Sequence, residues 1–401
     1  MKKVFIVAAK RTAIGKFMGS LSSFNSGELG AIVIKEIIKE SGISPENVDS
    51  VIAGNILSAG QMQGVARQAS ILGGIPKEVP AYSINMVCGS GMKAVMNGYA
   101  EILSGLSDVI IAGGTESMSN AGFVLPGGVR TGIKMGNIQA VDHMVCDGLT
   151  DAFNKYHMGI TAENIAEKYG ITREAQDAFS FSSQQKAIKA VDSGAFDKEI
   201  VTVEIVSKKE TILFNKDEFP NRASTPEKLA MLKPAFKKDG TVTAGNASGV
   251  NDGASFVMLA SEEAVNKYGL KPMAEIVSCG QGGVDPAYMG LGPVPAIRKA
   301  LKNGGLKLSD MELIELNEAF AAQALGVIKE LIDEHKVSRE WIDQHTNING
   351  GAIALGHPIG ASGNRILVSL VHELKASGKK VGLASLCIGG GMGTAIVVKA
   401  V

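Results

Sequence analysis

Four short segments recur once along the chain, in the same order, and this repeat limits the fold more than any other feature. Phe5-Ile6-Val7-Ala8 is matched by Glu275-Ile276-Val277-Ser278, and Val51-Ile52-Ala53-Gly54-Asn55 by Leu313-Ile314-Glu315-Leu316-Asn317. Gly89-Ser90-Gly91 is matched by Ala361-Ser362-Gly363, and Ile111-Ala112-Gly113-Gly114 by Cys387-Ile388-Gly389-Gly390. The offsets are 270 (276 less 6), 262 (317 less 55), 272 (363 less 91) and 276 (389 less 113). Small insertions explain so steady a separation, and a repeat of this length reads as a duplicated unit. Within each copy, β-branched runs alternate with stretches of helical period, which predicts two similar α/β units with helices packed on sheet faces. Helices are expected at 32–39, stopped by Gly42, and at 92–103, stopped near Gly105. In the second copy they are expected at 296–301, 318–334 and 364–376.

Between 118 and 243 the chain turns to glycines, lysines and polar helices, with Thr161 and Thr172 as expected N-caps and Gly194 as a stop for the helix that Thr172 opens. The run Gly253-Ala254-Ser255-Phe256-Val257-Met258-Leu259-Ala260 reads as a strand returning to the first sheet. The expected division is therefore 1–119 with 244–269 as the first half, 120–243 as an inserted loop domain, and 270–401 as the second half. Long excursions of this kind carry binding function. The 49 glycines in 401 residues, with no collagen period, call for many tight turns and close backbone contacts. Lys+Arg and Asp+Glu both number 40, so no overall field exists to hold nucleic acid or an anionic membrane. No secretory leader or membrane span is legible, and four scattered cysteines offer neither a disulfide framework nor a zinc site. A cytoplasmic protein without a metal is expected.

Cys88 follows the apolar run at 84–87 and precedes Gly89-Ser90-Gly91 and a helix, so it stands at a strand-to-helix turn. Such a turn exposes a nucleophile, and the helix N-terminus is expected to lower the thiol pKa. The same glycines fit a dinucleotide-binding fingerprint, but Asp108 lies at the wrong end of the next strand to reach a ribose, and Glu116, at the right end, is far along the chain. His357, in Asn349-Gly350-Gly351-Ala352-Ile353-Ala354-Leu355-Gly356-His357-Pro358, falls in the second copy's counterpart of the Cys88 turn. If the halves pack with pseudo-twofold symmetry the two turns meet, and His357 can serve as base toward Cys88. Cys387, before Ile388-Gly389-Gly390-Gly391, would converge on the same point.

These motifs, with Asn317-Glu318-Ala319-Phe320, resemble the thiolase family from one end of the chain to the other. His157-Met158-Gly159 followed by Thr161-Ala162-Glu163-Asn164 is similar to its short-chain acetyl-CoA acetyltransferases. The resemblance implies a duplicated, layered α/β/α/β/α fold and reversible condensation of two acetyl-CoA to acetoacetyl-CoA and CoA through an acyl-cysteine. It assigns Cys88 as nucleophile, Cys387 as the second acid/base thiol, His357 and Asn317 with a water as enolate holders, and the N–H groups of Cys88 and Gly389 as oxyanion hole. It further implies coenzyme A contacts at His157, Met158, Arg222, Phe236, Ser248, Met289 and Phe320, no cofactor beyond the coenzyme A thioesters themselves, and a homotetramer. A cysteine hydrolase or a binding-only relative would be the competing readings. The first leaves Cys387 without a task, and the second requires a missing catalytic residue.

Overall fold

The computed structural model describes residues 2–125 and 127–401, and its strand pairing follows the repeat. The elements that frame the molecule are β1 (Val4–Thr12), α1 (Ser26–Ser41), β2 (Ser50–Gly54), β3 (Ala81–Ile84), α2 (Ser90–Ser104) and β4 (Val109–Ser117), then α3 (Met158–Tyr169), α4 (Arg173–Ser193) and β5 (Asn251–Ser261). The second half supplies β6 (Ala274–Gly283), α5 (Pro293–Gly304), β7 (Leu313–Leu316), α6 (Ala321–His335), α7 (Ile359–Ser377), β8 (Val381–Ile388) and β9 (Met392–Ala400). The strands lie in the order β7-β8-β9-β6-β1-β5-β4-β2-β3. From the centre outward, β1-β5-β4-β2 and β6-β9-β8-β7 share one pattern: antiparallel, antiparallel, parallel. Both copies even share a bulge, the register slipping between Ile6 and Ala8 in one and between Ile276 and Ser278 in the other. The halves join where β1 meets β6 through the pairs Phe5↔Glu275 and Ile6↔Ala274.

Three apolar clusters define five layers. In the middle, Met92, Val95 and Ile102 of α2 interleave with Ile366, Val368 and Leu370 of α7 and with strands of both halves. Outside the first half, Leu29, Val33 and Ile37 of α1 cover Val51, Ile111 and Phe256. Outside the second, Ile297, Leu301, Ile328 and Leu331 of α5 and α6 cover Ile314, Leu383 and Val397. The α/β/α/β/α layering expected of the family is thus present. The outer helices α1 and α5 each lay one apolar stripe on a sheet, while α7, buried almost all round, fills the middle layer, so burial rather than propensity stabilises them.

Local stops and starts follow side-chain chemistry. Asn25 and Glu28 form a capping box on α1, which Gly42 ends in the left-handed region. Thr172 caps α4 and Gly194 ends it as expected. Three local expectations need correction. Thr161 does not cap a helix: His157 does, its Nδ1 accepting from Gly159 N at 3.0 Å, while Thr161 Oγ1 donates back to the Met158 carbonyl inside α3. The helix expected from 318 begins at Ala321, because Glu318 is drawn inward to accept from Ser183 Oγ and Asn347 Nδ2. The strand before Cys88 stops at Ile84.

The inserted segment is tied into the core rather than hung from it. Ile200 and Val201 pair with Arg11 and Thr12 of β1. The Arg11 side chain, 1% exposed, donates through Nε to Glu199 and in a fork to both oxygens of Asp217 at 2.7 and 2.9 Å. Glu199 also accepts from Ser369 of α7. A buried guanidinium so fully paired avoids the penalty that an unpaired one would carry.

Candidate active site

Two helix starts, one from each half, meet at the centre of the molecule. Between them packing is backbone on backbone: a Cβ on Gly91 would lie 2.8 Å from the Gly360 carbonyl oxygen, and one on Gly114 only 1.9 Å from it. Above this contact lies a cavity of ≈ 190 Å³ lined by Cys88, His157, Met158, Phe236, Ser248, Met289, Phe320, His357, Cys387 and Gly389, with Met118, Leu149, Val250 and Ile359 completing its apolar walls.

The Cys88 turn is held in a costly shape. Val87 has φ 44°, a left-handed conformation that a β-branched side chain rarely adopts. Ser90 keeps it there, its Oγ accepting from Met86 N at 2.8 Å and donating to the Val87 carbonyl at 2.6 Å. Strain of this kind is stored where geometry serves chemistry. The thiol differs from expectation: burial pushes its pKa up to about 11, outweighing the N–H groups of Gly389 and of Cys88 itself that point at the sulfur. Cys387, 1% exposed, is also pushed up by burial and, secondarily, by Cys88.

His357 is buried, and its pKa is lowered to about 4, by burial first and then by the Arg365 charge. Its tautomer can be read from the network. Ser362 Oγ donates to the Pro358 carbonyl at 2.9 Å, so the lone pair of Ser362 receives Nδ1–H of His357 at 2.6 Å. That leaves Nε2 as a bare acceptor, with no protein partner among the described residues. Asn251 Oδ1 accepts from His357 N at 2.9 Å and fixes the loop. A protonated thiol and a neutral imidazole with a free Nε2 thus line the same cavity, an arrangement that can serve as a nucleophile and its base.

The sequence-derived residues divide into three groups. Cys88, His157, Met158, Phe236, Ser248, Met289, Phe320, His357, Cys387 and Gly389 line one cavity. Asn317, just past β7, is 1% exposed and not in the lining, yet neither Nδ2 nor Oδ1 has a protein partner among the described residues. Arg222 lies apart in an open groove of ≈ 930 Å³, with Lys16, Ser224 and Lys228, forked onto Asp192. Groove and cavity are joined by one stretch of chain, since Ala244 and Gly245 line the first and Ala247 and Ser248 the second. On the cavity wall His157 stacks on Phe236 at 4.5 Å, and Phe236 meets Phe320 edge-on at 6.1 Å. Sequence reasoning missed Ser362, Asn251 and Ser90. The signal for two of them was present in Gly89-Ser90-Gly91 and Ala361-Ser362-Gly363, read there only as turns. Glu116, considered for a ribose, is fully buried and engaged with backbone N–H groups.

Comparison with known proteins agrees with this geometry. The family model described as Thiolase, N-terminal domain matches residues 4–263, and Thiolase, C-terminal domain matches 270–400. An acetyl-CoA acetyltransferase of Syntrophomonas wolfei is 54% identical over 404 residues, covering 100% of this chain and 99% of its own. The crystal structure of the Bacillus anthracis acetyl-CoA acetyltransferase superposes with a TM-score of 0.95 at 45% identity, over 100% of this chain and 99% of that one. Human mitochondrial 3-ketoacyl-CoA thiolase in complex with CoA gives 0.93 at 45% identity, over 100% and 98%.

Proposed function

The chain belongs to the thiolase family, and from that premise we propose that it is an acetyl-CoA C-acetyltransferase, interconverting two acetyl-CoA with acetoacetyl-CoA and free CoA. The observation that carries the reading is the pair of thiols sharing one apolar cavity with a histidine whose Nε2 is free. His357 Nε2 takes the Cys88 proton as sulfur attacks the thioester carbonyl, and the oxyanion that forms is held by the N–H groups of Cys88 and Gly389. CoA sulfur leaves with the proton of Cys387, which becomes a thiolate, and Cys88 keeps the acetyl group. A second acetyl-CoA then loses a methyl proton to Cys387, its enolate oxygen held by His357 and by a water on the otherwise unpartnered amide of Asn317. The carbanion attacks the acetyl-Cys88 carbonyl, the C–C bond forms, and the Cys88–acyl bond breaks. Because a thioester acidifies its own α-proton, the proposal requires no cofactor or metal beyond the substrates.

Met158, Met289 and Phe320 would wall the thioester and pantetheine, with His157 Nε2 and Ser248 as polar contacts. The nucleotide end of CoA would lie in the adjoining groove, where Arg222 must release Asp192 to meet a phosphate. That exchange costs little, because the ion pair is exposed. The expected homotetramer is part of the same proposal. It is supported by the free edge of β3, with Tyr82 and Ser83 exposed, and by exposed Phe123, Leu125, Met135 and Ile138 on one loop. A cytoplasmic location is proposed from four unpaired cysteines. Among the described residues no helix is long and apolar enough to cross a membrane.

Incubation with acetoacetyl-CoA, with and without CoA, tests the function. Acetyl-CoA should form only when CoA is present. Consumption of acetoacetyl-CoA at equal rate without CoA identifies a hydrolase and overturns the proposal.

A further inference from the structure

One buried acid lies between the two helix starts that the reaction must hold together, and the mechanism above gives it no task. Glu116, near the end of β4, is fully buried. Its Oε1 accepts from Leu57 N at 3.1 Å and Asn55 Nδ2 at 2.8 Å, and its Oε2 from Ile56 N at 3.1 Å. The N–H of Gly360, in the first turn of α7, also points at the carboxylate. A Cβ on Gly360 would sit 2.7 Å from Oε2, so any larger residue there would push the acid off its partners. All four partners are donors, the set an acceptor-only carboxylate satisfies, and an acid at a helix N-terminus also meets the favourable end of the dipole.

The repeat sharpens the point. Asn55 and Asn317 are matched positions at the ends of matched strands. The amide of Asn317 has no protein partner among the described residues, whereas Asn55 Nδ2 donates to Glu116 and to the Thr115 carbonyl at 3.1 Å. One copy of the asparagine keeps its amide open, and the Nδ2 of the other is committed to holding Glu116.

We propose that Glu116 is a positioning residue for the reaction, its carboxylate binding the chain after β2 to the first turn of α7 and thereby fixing His357 over Cys88. The proposal rests on the reading of Cys88 and His357 as the reacting pair. Ionisable groups around the thiol come from three elements: His357 ahead of α7, Cys387 on β8 and Glu116 on β4, while Asp252 on β5 acts on Glu116 itself. Burial pushes Glu116 up to about 8 against the pull of its N–H donors, and the Glu116 charge adds to burial in raising Cys88. Above pH 8 the acid therefore marks the thiol with its charge.

The test compares Glu116→Gln, which removes the charge, with Glu116→Asp, which keeps the charge but withdraws it by one methylene. Both should lower kcat of acetoacetyl-CoA thiolysis by about 10- to 100-fold and leave KM for CoA unchanged. Iodoacetamide labelling at pH 9, followed at Cys88 by peptide mapping, should be faster in the Gln variant and unchanged in the Asp variant. A role confined to stability would change neither the labelling nor kcat measured well below the unfolding temperature. Wild-type kcat in either folded variant, unchanged Cys88 labelling in Glu116→Gln, or failure of both variants to fold overturns the proposal. Labelling does not need turnover, so a wild-type protein that fails to cleave acetoacetyl-CoA would refute the functional reading separately.

Discussion

Substituting Gly114 by alanine perturbs the contact on which the site is built. A Cβ there would stand 1.9 Å from the Gly360 carbonyl oxygen, 2.8 Å from its carbonyl carbon and 3.1 Å from Gly91 Cα. All three are backbone atoms with no rotamer to yield. Real side-chain carbons do not approach other atoms closer than 3.0 Å, so β4 and the first turn of α7 must separate by at least 1.1 Å (3.0 less 1.9). His357 precedes that turn by two residues and moves with it. A misplacement of about 1 Å costs about 100-fold in rate, or about 2.7 kcal/mol of barrier, and the overpacking should lower stability by about 1–3 kcal/mol. The assay is kcat for acetoacetyl-CoA thiolysis well below the unfolding temperature, with Gly128→Ala as control because none of the described residues lies within 4 Å of a Cβ at that position. A folded Gly114→Ala enzyme with kcat equal to that of the control would refute the argument that backbone contact between the halves sets the catalytic geometry.

Four other outcomes are expected. Cys387→Ala should still gain an acetyl group from acetyl-CoA, seen by mass spectrometry, but fail to condense, while Cys88→Ala should gain none; the reverse pattern would exchange their roles. His157→Ala should raise KM for CoA substrates by the worth of one neutral hydrogen bond, about 0.5–1.5 kcal/mol, with a loss of helix stability besides because its Nδ1 caps α3. Removing the Ser362 hydroxyl by Ser362→Ala frees the imidazole to change tautomer and should lower kcat by about 3- to 10-fold, with KM for CoA preserved; an unchanged kcat would show that Ser362 does not fix the ring. The acid limb of kcat/KM should fall near pH 4 rather than near 6.5, since His357 stays neutral down to about 4. The unfolded chain binds a proton at this histidine that the folded chain refuses, so its contribution to stability is present above pH 6.5 and is lost as pH falls from 6.5 toward 4. An acid limb of kcat/KM near pH 6.5, or a stability that stays flat between pH 6.5 and 4, would contradict the burial of His357.

The sequence made the duplication legible because strand ends and glycine turns carry their own chemistry. Ile111-Ala112-Gly113-Gly114 and Cys387-Ile388-Gly389-Gly390 can be matched without knowing what they touch. The same local signals placed Cys88, His357 and Cys387 at turns, and the meeting of those turns followed from symmetry. What depends on burial was out of reach. The helix start near Cys88 pointed to a lowered pKa, but the apolar walls of the cavity reverse its sign. Glu318 sits in a run of helical period and was assigned to α6, yet its partners Ser183 and Asn347 are distant in the chain. Thr161 had the right chemistry for a cap, and a histidine four residues earlier took the position. For Arg222 the resemblance carries a coenzyme A contact without geometry, and the structure places the residue in the groove that adjoins the cavity.

The Arg11 clamp decides how this molecule can come apart. Glu199 and Asp217 belong to the stretch that also carries Arg222 and Phe236, while Arg11 belongs to the first strand of the sheet. Detaching the stretch would strand a buried guanidinium, with a cost of about 3–5 kcal/mol, in addition to exposing its apolar contacts. The stretch therefore has no private opening route and should join the same foldon as β1, its central amides exchanging with solvent only when the whole domain opens. Grafting the segment from a relative with another acyl preference would succeed as an engineering step only if the incoming stretch kept acids at 199 and 217 to meet the recipient's Arg11 and the α7 serine Ser369.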